Sequence, residues 1–374
     1  MLIYSLFQSL PWLIRYPFER VRKKLFERFD GKTHLIFVIA NHFEPSWQEV
    51  GFCSIEQQLK RMESWKKQAF LIGESLVDND GTRFRHTYFF PAEQYERRIF
   101  EHLSEIESRR LGEVEVHLHH GVERPDTAER LRETLVNFRD LIAYEHGCLS
   151  FWESERKPRY AFVHGNLALA NSAGGKFCGV DSEMQILHET GCYADFTLPS
   201  APDPSQVPVI NQIYECALPF EQRAPHRRGR RLKVGDGQPK MPIIFQGPLL
   251  LNWRKPRIEN GSLSESYGKA DERLKKWISS KITIKGRPNW IFIKLFCHGF
   301  FPSDREACIG EKARQFFTEI LEFCYKSRKY EVHFATAREA VNMVLAAVDG
   351  HNGSPNDFRD YKLKPIRFFA SREK

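Results

Sequence analysis

The stretch that decides the fold runs from Gly112 to Gly121 and reads Gly-Glu-Val-Glu-Val-His-Leu-His-His-Gly. Its apolar and polar residues alternate, which is typical of a β-strand, because successive side chains of a strand point to opposite faces. His117 and His119 therefore share a face at the end of the predicted strand, and His120 follows where the strand ends. Two imidazoles on one face can hold one divalent metal ion. The sequence predicts a metal site here, with these three histidines among its ligands.

Polar residues also end most of the other predicted strands. A continuous apolar run from Leu35 to Ala40, typical of a strand buried on both faces, leads into Asn41-His42-Phe43-Glu44. The remaining strand candidates carry these polar residues at or near their ends: His164 and Asn166, Asp195, Gln246, and His298. In a (β/α) barrel the carboxyl ends of the strands build the active site, whereas an open doubly wound sheet needs polar residues only at its switch point.

Helical patterns separate most of these strands, which predicts an α/β fold with a parallel sheet. No segment of about 20–50 residues repeats, as it would in a solenoid. The sequence also lacks the Gly-x-Gly-x-x-Gly loop of dinucleotide-binding sheets. We therefore predict a distorted TIM-like (β/α) barrel of seven or eight strands.

Three segments follow from this organisation. Residues 1–30 are predicted to form an N-terminal amphipathic helical segment, residues 31–348 the barrel, and residues 349–374 a polar C-terminal tail. A basic, glycine- and proline-rich insertion interrupts the barrel at residues 219–240. It is either a solvated loop or a contact for a phosphate or an acidic glycan, with Arg227 as a candidate substrate-binding residue.

The N-terminal segment is apolar and aromatic as far as Ile14 and basic from Arg15 to Arg28. An apolar run of about 14 residues is too short to span a bilayer, which needs roughly 20. The basic residues follow the apolar run, which is the reverse of a signal peptide. Two interpretations remain: residues 1–28 contact an anionic membrane surface peripherally, or they form a helix docked on the domain.

Charge and cysteine content narrow the partners and the compartment. The net charge is +8 and the isoelectric point is near 9.0, which suits an anionic partner. No nucleic-acid-binding motif accompanies this charge, so nucleic acid is not a predicted partner. The eight cysteines form no Cys-x-x-Cys pair and are predicted to be reduced, mostly buried thiols. This favours the cytoplasm, at the inner membrane if the N-terminal segment binds lipid.

Several stretches resemble the polysaccharide deacetylase superfamily, the nodulation-type carbohydrate esterases. The likeness extends to an uncharacterised bacterial branch found with exopolysaccharide biosynthesis. The stretches are Glu115–His120, Phe162–Asn166 on to Cys178–Glu183, Glu189–Pro202, and Lys294–Gly299, which is similar to the family's C-terminal histidine motif. The resemblance covers roughly residues 32–348. It implies a distorted seven-stranded barrel of the glycoside hydrolase/deacetylase type and metal-dependent hydrolysis of an acetyl group on a sugar.

This sequence departs from the family pattern at two points. Characterised members end the first strand in two aspartates, complete the metal site with a His-x-x-x-His pair and use a late histidine as acid. Here Asn41-His42-Phe43-Glu44 stands at the end of the first strand, and Gly121 stands four residues after His117. Any metal must therefore be held by a different set of ligands.

The predicted function is a metal-dependent carbohydrate deacetylase acting on N- or O-acetyl groups of a polysaccharide or its precursor, anionic if the basic insertion binds it. The metal is zinc, with manganese, cobalt or nickel as alternatives. A metal lowers the pKa of its bound water toward about 7, a base removes a proton and an acid protonates the leaving group. The candidates are His42, His117, His119 and His120 as ligands; Glu44 as base, with Asp181, Glu183 or Asp195 as alternatives; His298 as acid; and Asn41, His164, Asn166 and Arg227 as substrate contacts.

Two other functions stay open. A glycoside hydrolase or lyase on the same barrel would use Glu44, Glu183 or Asp195 as paired carboxylates without a metal. The carboxylate separation, about 5 Å or about 6.5–9.5 Å, would then decide the mechanism. Alternatively, the protein is a catalytically silent glycan-binding component of a polysaccharide assembly system.

Overall fold

The computed structural model describes residues 2–252, 257–264 and 268–367. The strands are β1 (Thr33–His42), β2 (His86–Pro91), β3 (Gly112–Leu118), β4 (Ser150–Trp152), β5 (Glu155–His164), β6 (Cys192–Asp195), β7 (Ile213–Cys216), β8 (Gly229–Arg231), β9 (Ile243–Phe245), β10 (Leu250–Asn252), β11 (Arg257–Glu259), β12 (Trp290–His298), β13 (Tyr330–Ala335) and β14 (Leu363–Pro365). The α-helices are α1 (Leu2–Phe26), α2 (Ile55–Ser75), α3 (Arg97–Ser108), α4 (Ala128–His146), α5 (Glu183–Thr190), α6 (Ala270–Ser280), α7 (Pro302–Cys308), α8 (Glu311–Ser327) and α9 (Ala337–Val348).

Seven strands pair in parallel, in the order β12–β1–β2–β3–β5–β6–β9. The antiparallel strands β7 and β8 continue this sheet beyond β9, and β13 pairs with the first half of β1. The sheet curls, but the end strands β9 and β12 do not pair with each other within the described ranges. The predicted α/β class and the distorted, TIM-like barrel are confirmed, with eight strands in parallel pairs when β13, which is parallel to β1, is counted with the seven.

The two faces of β1 show how the sheet is buried. All ten of its residues are buried. Leu35, Phe37 and Ile39 belong to the core between the sheet and its outer helices, whereas Ile36 and Val38 belong to a second core that contains α9. Burial on both faces explains why the strand reads as a continuous apolar run instead of alternating.

Helix α9 packs against this second face of the sheet. All twelve of its residues are buried, and a helix surrounded on every side must be apolar nearly all round. Thr336 and Glu339 begin it with a capping box, in which each side chain accepts a hydrogen bond from the other residue's backbone N–H. Local chemistry therefore sets the helix start, and packing inside the fold sets its composition.

Helix α1 is docked on the domain. Trp12 and Tyr16 are buried in a small apolar cluster with Leu249. The ammonium group of Lys23 donates hydrogen bonds to backbone oxygens, including that of Ser280 at 2.9 Å, and burial lowers its pKa to about 7. The docked interpretation of the N-terminal segment therefore holds from Trp12 onward. Membrane contact through residues 1–28 stays a prediction, and none of the described helices is both long and apolar enough to cross a bilayer.

The polar tail predicted for residues 349–374 is, as far as Arg367, part of the fold. Strand β14 pairs with β4, and Leu363 is fully buried. The guanidinium of Arg359 donates a hydrogen bond of 2.7 Å to the backbone oxygen of Phe334. Polar side chains in this segment therefore bond to the domain instead of to water, and residues 368–374 lie outside the described residues.

The basic insertion at residues 219–240 also belongs to the sheet. It contributes β8, the edge strand beyond β7. Arg230 forms ion pairs with Glu215 and Asp236, and Arg231 pairs with Glu27 of the N-terminal segment. Two of the arginines in the insertion are thus neutralised within the chain. The eight cysteines are all free and buried, as the sequence predicts.

Candidate functional site

The carboxyl ends of the parallel strands meet around one cavity of about 700 Å³. His42 and His298, the last residues of β1 and β12, lie directly beside each other in the sheet register. The cavity is lined by His42, Gly165, Asn166, Leu167, Phe177, Thr197, Pro199, Ser200, Ala201, Pro202, Asp203, Pro204, Asn260, Phe296 and His298. Polar strand ends therefore converge as they do at the active end of a (β/α) barrel.

His42, Glu44 and His117 form the strand-end cluster at this cavity. One ligand atom from each lies within 4.8 Å of the others. The Nδ1–H of His117 donates a 2.9 Å hydrogen bond to the backbone oxygen of Val163, and its Nε2 lies 3.1 Å from Oε1 of Glu44. A hydrogen bond at Nδ1 fixes which nitrogen carries the proton and turns the other toward a metal or a proton.

The electrostatics of this cluster suit a cation. Burial, together with the neighbouring His298 and His117, holds the pKa of His42 well below its ordinary value, so the ring is neutral. Its Nδ1 has no hydrogen-bond partner in the part of the chain that the structure describes. Burial alone would raise the pKa of Glu44, but the hydrogen bond and charge of His117 lower it below the usual value. Two imidazoles and a carboxylate are a ligand set for zinc.

His119 borders the same cluster but is held by another carboxylate. Its Nδ1–H donates a 2.6 Å hydrogen bond to Oε1 of Glu93, and its Nε2 lies 3.5 Å from Oε1 of Glu44. Burial lowers the pKa of His119, but Glu93 and then Glu44 outweigh burial and raise it above the ordinary value. Glu93 was not among the predicted residues. Its signal was similar to that of the histidines, a polar side chain close to a strand end, here two residues after β2.

His298 faces the cluster from β12. Its ring centroid lies 4.6 Å from that of His42, and it stacks on Phe301 at 4.4 Å. The backbone N–H of His298 donates a 3.0 Å hydrogen bond to Oδ2 of Asp304, and its Nδ1 lies 3.7 Å from the same oxygen. The side chain is 28% exposed, so it can reach a molecule in the cavity.

His120 belongs to a second cluster, with His164, Cys178 and Glu183. Their ligand atoms also lie within 4.8 Å of one another, and all four residues are buried. Nε2 of His120 lies 3.1 Å from Oε1 of Glu183, and its Nδ1–H donates a hydrogen bond to Asp126. The sequence predicts one metal site with all three histidines. The structure instead places His117 in the strand-end cluster, His119 at its border and His120 in the second cluster.

Two residues of the second cluster, Glu183 and His164, were predicted from the sequence for other roles. Glu183, a candidate base, has its pKa lowered to about 2, because its histidine neighbours outweigh burial. His164, a predicted substrate contact, is fully buried, and burial lowers its pKa to about 3. Cys178 was missed, because a lone cysteine far from any other carries no spacing signal.

Asn41 and Asp181 lie away from the cavity lining. Asn41 is fully buried, and its Oδ1 accepts a 3.0 Å hydrogen bond from the backbone N–H of Gly299, which ties the end of β1 to the turn after β12. The Asp181 side chain is 59% exposed and accepts a 2.6 Å hydrogen bond from Asn171. Asn41 therefore has a structural role, and Asp181 lies at the surface.

The remaining predicted residues fall at different depths. Asn166 lines the cavity. Asp195 is fully buried and accepts hydrogen bonds from the backbone and hydroxyl of Thr197, and burial raises its pKa to about 7. Arg227 is half-buried and is not part of the cavity lining.

Comparison with known proteins adds two loose structural likenesses. The sequence matches no family model and no curated protein. A GH57-type branching enzyme from the archaeon Pyrococcus horikoshii aligns with a TM-score of 0.41 at 11% identity, over 87% of this chain and 71% of that chain. A GH57 branching enzyme from Thermococcus kodakaraensis, solved in complex with glucose and additives, aligns with a TM-score of 0.40 at 11% identity, over 86% of this chain and 72% of that chain. Likenesses this weak assign the chain to no family, and the geometry of the site stands by itself.

Proposed function

We propose that the protein is a metal-dependent hydrolase that removes acetyl groups from a carbohydrate. The observation that carries the proposal is the strand-end cluster, in which two imidazoles and one carboxylate converge beside a cavity. His42, Glu44 and His117 would hold the ion, and three protein ligands leave a coordination position for water or substrate. When bound, such an ion polarises an acyl carbonyl and lowers the pKa of water.

The protein's own groups supply the proton transfers. His119 accepts a proton from the attacking water, because Glu93 holds its ring by a hydrogen bond and leaves Nε2 directed toward Glu44. His298 donates a proton to the leaving amine or alkoxide, and Phe301 and Asp304 hold it in place. The two histidines approach the cluster from different strand ends, so one can act as base and the other as acid.

The lining of the cavity supports a sugar as the substrate. Phe177 and Phe296 offer apolar faces, and Asn166, Ser200 and Asn260 belong to residue types that hydrogen-bond hydroxyl groups. A volume of about 700 Å³ lies within the range of about 300–1,000 Å³ that is common for ligand sites. A mixture of apolar faces and polar groups matches a pyranose ring, which has an apolar face and a rim of hydroxyls.

The test combines metal analysis with a panel of substrates. Purified protein is assayed for bound metal, and for acetate release from acetylated xylan, N-acetylated chitin oligosaccharides and p-nitrophenyl acetate. We expect bound zinc, acetate release that chelation abolishes, and loss of both metal at this cluster and activity in His117→Ala. Metal-free protein that remains active on an acetyl substrate would overturn the metal mechanism. Protein that holds metal but releases acetate from no substrate would favour the silent glycan-binding alternative.

One observation favours a second candidate, glycosidic bond cleavage. The pKa of Glu44 is lowered, whereas burial raises that of Asp195 to about 7, and carboxylates shifted apart in this way can serve as base and acid. Asp195 has no exposed surface in this structure, which places this function second. Release of p-nitrophenol from p-nitrophenyl glycosides, insensitive to chelation and lost in both Glu44→Gln and Asp195→Asn, would establish it.

A further inference from the structure

We propose that the second cluster, His120, His164, Cys178 and Glu183, is a closed structural zinc site. The proposal does not depend on the function proposed above, because none of these residues contributes to the strand-end cluster. One ligand atom from each lies within 4.8 Å of the others, and all four residues are buried. Four protein ligands with no open position are the pattern of a structural zinc site, not of a catalytic one.

His164 gives the independent observation that a ligand belongs here. Its side chain is fully buried, and neither ring nitrogen has a hydrogen-bond partner in the described part of the chain. Buried polar groups in native proteins are nearly always paired, so an imidazole with both nitrogens bare calls for a partner. Nε2 of His164 lies 3.8 Å from Oε1 of Glu183, within the cluster. A metal ion at the centre would occupy that nitrogen.

His120 is oriented as a metal ligand is. Its Nδ1–H donates a 3.1 Å hydrogen bond to Oδ2 of Asp126, the carboxylate–histidine contact that commonly supports a zinc-bound imidazole. Its Nε2 then lies 3.1 Å from Oε1 of Glu183. The lone pair on Nε2 of His120 and the carboxylate oxygen of Glu183 would repel each other at this distance. A cation, either a proton or a metal ion, must therefore lie between them.

The chemistry and spacing of the donors fit zinc. Two neutral imidazoles, one thiolate and one carboxylate carry a charge of two minus units, which zinc balances, and burial makes an unbalanced charge costly. Sγ of Cys178 lies 3.4 Å from Oε2 of Glu183. Zinc bonds of about 2.0–2.3 Å arranged tetrahedrally place ligand atoms roughly 3.3–3.8 Å apart. The distances from Glu183 to Cys178 and His164, 3.4 and 3.8 Å, lie in this range, and the 3.1 Å distance to His120 lies just below it.

The position of the cluster gives the ion a structural task. His120 follows β3, His164 ends β5, and Glu183 begins α5, with Cys178 in the loop that joins the last two. The same loop supplies Asn166, Leu167 and Phe177 to the cavity wall. A zinc ion here would tie this loop to two strand ends and hold one wall of the cavity.

The competing arrangement has no metal. In it, a doubly protonated His120 lies between the carboxylates of Asp126 and Glu183, Cys178 stays a thiol, and His164 stays unpaired. Cobalt distinguishes the two arrangements, because a thiolate bound to Co²⁺ gives a charge-transfer absorption in the near ultraviolet. The strand-end cluster contains no sulfur, so this absorption reports only on the second cluster.

The experiment uses the full chain, stripped by chelation and reloaded with Zn²⁺ or Co²⁺. Metal content and the cobalt spectrum are measured for the wild type, Cys178→Ser, His117→Ala and a control, Cys192→Ser. Cys192 matches Cys178 closely, since both are buried and both donate to a backbone oxygen two residues away. Circular dichroism checks that each variant is folded.

We expect the thiolate–cobalt absorption in the wild type, in His117→Ala and in Cys192→Ser. Cys178→Ser should lose this absorption and should bind one metal ion fewer per chain. His117→Ala retains this ion, so failure of the strand-end site is distinguishable from failure of this one. A reloaded wild type without thiolate–cobalt absorption would overturn the proposal, whether or not Cys178→Ser folds. Equal metal content in Cys178→Ser and the wild type would overturn it as well.

Discussion

Nε2 of His117 lies 3.1 Å from Oε1 of Glu44, although 73 positions separate the two residues in the sequence. The other ring nitrogen of His117 is occupied by the backbone oxygen of Val163. The histidine from β3 and the carboxylate from the turn after β1 therefore present a lone pair and a negative charge to the same point, beside the neutral ring of His42. This convergence distinguishes a site from a set of buried polar residues.

Removal of the His117 imidazole should abolish activity without unfolding the protein. We expect His117→Ala to lower kcat/KM by at least about 100-fold, equivalent to about 3 kcal/mol of transition-state stabilisation. His34→Ala is the control, because His34 is also buried but lies near the start of β1, at the end of the sheet away from the strand-end cluster. Acetate release and metal content decide the result, and equal losses in the two variants would indicate a general structural effect.

Gly165 leaves the space that the His119 ring occupies. A Cβ atom at this position would lie 2.3 Å from Cδ2 of His119. We expect Gly165→Ala to displace the ring and to lower kcat by roughly 10–100-fold, since small misplacements of reacting groups carry penalties of that size. Gly268→Ala is the control, because its Cβ would meet only a side-chain atom at 4.0 Å. Steady-state kinetics that are unchanged in Gly165→Ala would remove His119 from the mechanism.

Helix α1 should stabilise the domain through one face only. Trp12 is 1% exposed and Phe18 is 72% exposed on the same helix. We expect Trp12→Ala to lower the free energy of unfolding by about 3–5 kcal/mol and Phe18→Ala to change it by less than about 0.5 kcal/mol. Urea denaturation of both variants measures the difference. Similar values for the two would mean that α1 is not docked in solution.

The buried ion pair between Arg338 and Glu113 should hold the C-terminal segment to the barrel. A nitrogen of Arg338 lies 2.7 Å from Oε1 of Glu113, and another donates a 2.8 Å hydrogen bond to the backbone oxygen of Leu363. We expect Arg338→Met to destabilise the protein by about 3–5 kcal/mol, because it removes the bidentate partner of a buried carboxylate. Among the described residues, only the hydroxyl of Thr336 and, at 3.8 Å, the guanidinium of Arg367 would then face that carboxylate.

The exposed pair of Arg230 with Glu215 provides the comparison for Arg338. Its arginine side chain is 59% exposed, so Arg230→Met should lower the free energy of unfolding by about 1 kcal/mol or less. Thermal unfolding of both variants measures the contrast. If Arg338→Met proves as mild as Arg230→Met, water reaches Glu113 and the C-terminal segment is less firmly held than the structure implies.

Glu107 should make stability fall as pH rises. Burial raises its pKa from 4.5 to about 7, although the backbone N–H of Val114 donates a hydrogen bond to it. The folded state therefore binds this proton more tightly than the unfolded state does. The associated stability is fully present below pH 4.5 and is lost as pH rises through about 7, a change of about 3 kcal/mol at most.

Replacement of Glu107 by glutamine should remove this part of the pH dependence. The amide oxygen of Glu107→Gln can still accept from Val114 but carries no charge to bury. We expect the variant to be more stable than the wild type at pH 8 and nearly equal to it at pH 5. Glu105→Gln, with a 43% exposed side chain on the same helix, should show no such gain in stability between pH 5 and pH 8. Urea denaturation across this pH range measures both, and parallel curves for Glu107→Gln and the wild type would refute the shift.

Local chemistry determined the elements of the fold. The apolar run before Asn41 predicted a strand buried on both faces, and all ten residues of β1 are buried. The helical patterns predicted between the strands are present as helices, among them α4 between β3 and β4. Strand and helix periods are properties of neighbouring residues, so the sequence carries them directly. Polar residues after successive strands also predicted that one end of the sheet holds the site, because parallel strands end at the same edge.

Only the tertiary structure decided which side chains meet. Alternation stops where β3 ends, and the turn at Gly121, with φ +64°, sends His120 toward Glu183 while His119 faces Glu93. Cys178 and Glu93 come from segments with no spacing relation to the histidines. The residue pattern of a strand specifies which side chains share a face of that strand. Which side chains they meet across a cavity depends on how the sheet curls and on the path of the loops between its strands. The sequence by itself therefore determined the elements and the end of the sheet that carries the site; packing between distant segments decided the two clusters and the docking of the C-terminal segment.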